Sequence, residues 1–119
     1  DDFLTRLGER LAAVGRPASI LGMHLCGRLS LQAIQAFQNF DLIQCCVLGP
    51  CCLPRADEAP KELHSIYGIG MSDELQFAAW ASHLEELFRR IPNVAVTRKV
   101  LPGILSSRRL LFTAVKAPQ

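Results

Sequence analysis

Ile20-Leu21-Gly22-Met23-His24-Leu25-Cys26-Gly27 and, one short helix later, Cys45-Cys46-Val47-Leu48-Gly49-Pro50-Cys51-Cys52-Leu53-Pro54 decide how this chain is read. Each is an apolar run that stops abruptly at small, kinking or sulfur-bearing residues. A continuous apolar run marks a strand buried on both faces, so Ala18 to Leu25 and Asp41 to Leu48 read as two strands. Between them, Ser30 is placed to cap a helix whose Leu31, Ala33, Ile34, Phe37 and Phe40 face the sheet. Strand, helix and strand within about 30 residues make a parallel pair with a right-handed crossover. Ligands in open α/β sheets sit outside the carboxyl ends of such strands. The two exits should therefore share a rim.

Outward from this unit, Asp1 to Val14 reads as an amphipathic helix with Phe3, Leu4, Leu7, Leu11 and Val14 at helical spacing. Gly15 and Pro17 end it. A helix beginning at the first residue leads to the expectation that the natural chain starts earlier. Arg55 to Gly70 reads as a loop leaving the second exit, either a plain surface connection or a lid over the rim. Ser72 opens the longest helix, which runs to about Ile91 with Phe77, Trp80, Leu84, Leu87, Phe88 and Ile91 as its buried stripe. Trp80 reads as core and His83 as rim. Asn93 to Leu101 and Arg109 to Ala117 are strand-like, and the short Pro102-Gly103-Ile104-Leu105-Ser106-Ser107 link makes them an antiparallel pair.

The 119 residues suit one domain, and 50% apolar against 20% charged content argues for an ordered core. A net charge of +2 does not indicate nucleic acid or an anionic membrane. RNA stays open as a partner without support from charge. No run approaches the roughly 20 apolar residues of a membrane span, and no signal-peptide pattern opens the chain. A cytoplasmic location is the resulting expectation. Five cysteines, Cys26, Cys45, Cys46, Cys51 and Cys52, form an odd set with two adjacent pairs. Neighbours on a strand point to opposite faces, so reduced thiols are expected rather than disulfides.

The turn Gly22-Met23-His24-Leu25-Cys26-Gly27, followed after a helix by Gly49-Pro50-Cys51-Cys52-Leu53-Pro54, resembles a group of S-adenosylmethionine-dependent methyltransferases. That group carries a His-Leu-Cys-Gly turn and a Cys-Cys turn at the ends of its fourth and fifth strands. It is related to a tRNA 2′-O-methyltransferase family whose second turn is Cys-Cys-His-His; Cys51-Cys52-Leu53-Pro54 departs from that form. The closing antiparallel hairpin is also similar to the class I signature, in which the last strand inserts antiparallel beside the fifth. The resemblance implies an α/β fold: the C-terminal half of a Rossmann-like methyltransferase domain, with helices on both faces, as one partial domain over residues 1–119. No Gly-x-Gly-x-Gly cofactor loop occurs, and Gly68-Ile69-Gly70 follows a loop rather than a strand. Activity is therefore expected only together with a first half. The open side of the first strand here should pair with that half or with another chain.

On this resemblance S-adenosylmethionine is the cofactor and the methyl acceptor, RNA or protein, is unidentified. His24 and Cys26 border the transferable methyl group as the catalytic pair; His24, Leu25 and Gly27 contact the cofactor. Arg28, Pro50, Cys51, Cys52 and Leu53 shape the acceptor pocket, Arg28 facing an anionic group. His24 titrates near neutrality and can take a proton from a nucleophilic acceptor; Gly27 lets backbone pass close to a ligand. The same residues have other readings. A histidine beside a buried strand is often hydrogen-bonded structure, and Cys45 and Cys46 read as packing. His24, Cys26, Cys51 and Cys52 form a soft-ligand set for zinc, although no resident metal is expected from it. A cysteine nucleophile paired with histidine and a non-catalytic interaction module complete the alternatives.

Overall fold

The two apolar runs are neighbouring parallel strands in a computed structural model of the chain, which describes residues 2–25, 27–68, 70–101 and 110–118. In order, the elements are α1 (Asp2–Val14), β1 (Ala18–Leu25), α2 (Leu29–Asn39), β2 (Ile43–Pro50), two 3-10 segments (Ala56–Glu58 and Lys61–Tyr67), α3 (Asp73–Arg89), β3 (Val94–Val100) and β4 (Leu110–Lys116). One four-stranded mixed sheet has the order β1-β2-β4-β3. β4 is antiparallel to both β2 and β3, so β3 runs in the direction of β1 and β2. The hairpin expected from the last two runs is present. The link at Pro102 to Ser107 lies outside the described residues.

Alternation along the strands sorts the sheet into two unlike faces. One row of partners, Ile20, Cys46, Ala114 and Val96, and the next, Gly22, Leu48, Phe112 and Arg98, run across the side that packs on helices. Ala36, Phe37, Cys46, Leu48, Trp80, Leu84, Phe88, Phe112 and Ala114 are all fully buried there. The rings of Phe37 and Phe88 meet edge to face at 6.0 Å, joining α2 to α3. Leu11 brings α1 into the same cluster, with Leu4 and Leu7 half-buried against it. Arg98 reaches from β3 to Glu85 of α3 at 3.3 Å. Lys116 donates to the Phe40 carbonyl at 2.9 Å and lies over the Phe37 ring, tying β4 to the end of α2.

The opposite face corrects the expectation of helices on both sides. Its rows read Leu21, Val47, Thr113, Thr97 and Cys45, Val115, Ala95. Leu21 is 75% exposed, Met23 48% and Val115 44%. The three α-helices among the described residues all contribute to the cluster on the other side. An apolar run reports that a strand avoids water, not which part of a protein provides the cover.

Two boundaries also move. α2 starts at Leu29 with Arg28 at its N-cap and no side-chain cap, so Ser30 is no cap. It lies within the first turn, fully buried, with its hydroxyl unpaired among the described residues. β2 runs two residues further than expected, to Pro50, because its pairing with β1 continues to Leu25. Ser72 does cap α3, accepting from the Leu75 amide at 3.2 Å. Trp80 is core as expected, its indole N–H without a partner among the described residues. No helix among the described residues is long and apolar enough to cross a membrane.

The one-sided sheet gives a contrast measurable by chemical denaturation. Leu48→Ala, on the covered face, should lose about 2–5 kcal/mol. Leu21→Ala, on the open face, should stay within about 0.5 kcal/mol of the parent. Equal losses would mean that the second face is covered.

Candidate functional site at the carboxyl ends of β1 and β2

Parallel pairing carries both strand ends to the same edge of the sheet, and the contact continues beyond the strands. Leu25 pairs with Pro50. The Cys51 amide then donates to the Leu25 carbonyl at 3.3 Å, and the Gly27 amide donates to the Cys52 carbonyl at 3.3 Å. The two exits, expected side by side from sequence, are bound to each other through their backbones.

Register shifts between Met23, opposite Gly49, and Leu25, opposite Pro50. His24 therefore occupies an irregular step in β1, where pairing advances two residues on one strand and one on the other. Such irregularities re-aim side chains and recur next to active sites. They also interrupt alternation, so a strict period of two does not carry from β1 through the exit. The His24 side chain and Cys26 lie outside what is described.

Gly27 sits at φ +57°, a left-handed conformation natural to glycine and costly for a residue with Cβ. A Cβ added there would meet only the Pro54 Cα at 3.7 Å, an ordinary contact. Backbone conformation, more than space, calls for glycine at the turn into α2.

The remaining candidates divide by burial. Pro50 is fully buried, so it shapes the corner from within. Leu25 and Leu53 are half-buried and pack against the core cluster. Arg28 is exposed, its guanidinium 3.5 Å from Glu58, which also lies 3.9 Å from Arg55. An exposed ion pair contributes little, so Arg28 can exchange Glu58 for another anion at low cost. Cys51 and Cys52 are half-buried, with their Sγ atoms 3.5 Å apart. The expectation that adjacent cysteines diverge holds for Cys45 and Cys46, which lie on opposite faces of β2. It fails for Cys51 and Cys52, which lie past the strand end, where alternation no longer applies.

The segment after this corner is tethered rather than a plain loop. Leu63 and Ile66 are buried in the core. The Tyr67 hydroxyl donates to the Pro54 carbonyl at 2.6 Å, and Gln76 donates to the Ile66 carbonyl at 2.7 Å. Burial pushes the Tyr67 phenol above its ordinary pKa. Sequence periodicity missed these two 3-10 pieces because each is too short to show a repeat.

The other histidines stand apart in chemistry. His64 is exposed and hydrogen-bonded to the Ala59 carbonyl at 3.0 Å. His83 stacks on Trp80 at 6.0 Å. Burial lowers the His83 pKa, Glu62 opposes that shift and Arg90 adds to it. Among the described residues no three metal-ligating side chains converge.

Comparison with family models, with curated proteins and with solved structures returned no match to the chain.

Two outcomes follow from this geometry. Gly27→Ala should cost about 1–2 kcal/mol in denaturant unfolding through its positive φ alone; no loss would mean the turn is not left-handed. For His83, the folded pKa lies below the unfolded value of about 6.5. The unfolded chain then takes up a proton first as pH falls below that value, and stability declines with acidification. His83→Gln should remove that part of the decline in unfolding curves collected at successive pH values, and an unchanged pH profile would contradict the assignment.

Proposed function

We propose that the rim where β1 and β2 end is the acceptor side of an S-adenosylmethionine-dependent methyltransferase of class I type, the 119 residues forming the C-terminal half of its Rossmann-like domain. The observation that carries this reading is the strand order β1-β2-β4-β3, with the last strand inserted antiparallel between β2 and β3. That insertion is the arrangement of the group that the two turns resemble. The uncovered sheet face adds support, because the fold of that group carries helices on both sides.

The rim suits the methyl end of the cofactor and an acceptor. Gly27 leaves room for close backbone approach, while the chain has no glycine-rich loop for the adenosyl portion. When bound, S-adenosylmethionine supplies an electrophilic methyl group. His24, at the irregular step of β1, accepts the proton that an acceptor hydroxyl or amine releases on attack. Arg28 releases Glu58 to hold an anionic acceptor group. The Cys51-Cys52-Leu53 corner forms the neighbouring wall, backed by the tethered 3-10 segments.

The test uses the full natural polypeptide that contains this segment. It should retain labelled S-adenosylmethionine in equilibrium dialysis and pass tritiated methyl to cellular RNA or protein. His24→Ala should lower that transfer by about 10²–10⁴-fold with the fold intact by circular dichroism. A polypeptide that retains no cofactor would sink the reading; full transfer by the variant would remove His24 as the base.

A further inference from the structure

The cysteine pair at the β2 exit has a chemistry of its own. Cys51 and Cys52 follow the last paired residue of β2, Pro50. Free of the strand's alternation, their side chains turn together and the Sγ atoms meet at 3.5 Å. Both residues are half-buried, within reach of a small reagent. The pair inside the strand behaves oppositely: Cys46 is fully buried, and burial, with a smaller effect of Cys45, pushes its thiol up to about 12. A thiol so disfavoured as thiolate is a poor nucleophile. Position along one strand thus separates an inert cysteine from a vicinal dithiol.

We propose that Cys51 and Cys52 are a modification site: a vicinal dithiol that closes reversibly to a disulfide, with a low-molecular-weight disulfide of the glutathione class as oxidant. The thiolate of one cysteine attacks a sulfur of the oxidant, whose S–S bond breaks as one small thiolate leaves and takes a proton. The second protein thiolate then attacks the protein sulfur of the mixed disulfide. The Cys51–Cys52 bond forms and the second small thiol departs. The protein loses two electrons and two protons; the oxidant is reduced to two thiols.

The geometry also sets the character of the bond. Consecutive Cα atoms lie about 3.8 Å apart across a trans peptide, short of the usual disulfide span of about 4.4–6.8 Å. The closed ring is strained, and strained disulfides are the labile kind rather than permanent staples. Closing the sulfurs from 3.5 Å to about 2 Å removes the thiol that faces the Leu25 carbonyl at 3.6 Å. It also strains the Cys51–Cys52 peptide, which adjoins the Cys52 carbonyl that accepts from Gly27. Oxidation therefore acts on the joint between the two strand exits. None of this depends on methyl transfer.

The experiment treats the reduced full chain with oxidised glutathione, alkylates the remaining thiols and maps tryptic peptides by mass. Leu29 to Arg55 holds Cys45, Cys46, Cys51 and Cys52, whereas Cys26 falls on another peptide. The expected product lacks two hydrogens, carries alkyl groups on Cys45 and Cys46 only within that peptide, and returns to the dithiol with dithiothreitol. Cys52→Ser should stop at a stable glutathione adduct on Cys51. A link to Cys26 or Cys45, a lasting glutathione adduct on the parent, or thiols left intact where a control dithiol peptide is oxidised, would overturn the proposal. The parent's peptide map decides the matter even if the variant fails to fold.

Discussion

Backbone hydrogen bonding between β1 and β2 is the constraint on which the rest depends. Parallel pairing obliges both strands to end at one edge, and the amide bonds from Cys51 to Leu25 and from Gly27 to Cys52 extend that obligation past the strands. Two turns separated in sequence by a helix become one piece of backbone. The register shift at His24 and the left-handed turn at Gly27 fall within this joint. The register shifts of β1 fall near its two ends, at Ala18–Ser19 and Met23–Leu25, while the strand middles stay regular against Phe37, Trp80 and Phe88.

The second constraint is asymmetry. Helices α1, α2 and α3 converge on one cluster, so one side of the sheet is a close-packed interior and the other presents Leu21, Met23 and Val115 outward. Among the described residues β1 is also an edge strand of the sheet, the position at which backbone groups are open to pairing. The carboxyl rim lies at the end of that same strand, with His24 and Gly27.

Much of this was legible in the sequence. Apolar runs located the four strands, and abrupt endings at Gly27 and Pro50 identified the exits, because strand burial and chain reversal leave strong compositional marks. Ser72 was readable as a cap because an acidic turn and an apolar stripe follow it. Ser30 was not: the positive φ of Gly27 starts α2 early and carries Ser30 into the covered interior. The uncovered face was equally hidden, since Leu21 looks the same in a sequence whether it is covered by its own chain or not. Cys51 and Cys52 were assigned to opposite faces by a rule that ends with the strand. Only coordinates place the strand's end at Pro50 and the sulfurs in contact.

The most direct measurement is the through-space proton contacts between β1 and β2 by nuclear magnetic resonance. Parallel pairing predicts contacts of Leu21 with Val47 and of Leu25 with Pro50 in the same sample, together with a Cys51 amide adjacent to Leu25. Contacts of Leu25 with Ile43 instead would run the strands head to tail, separate the two exits and contradict the account.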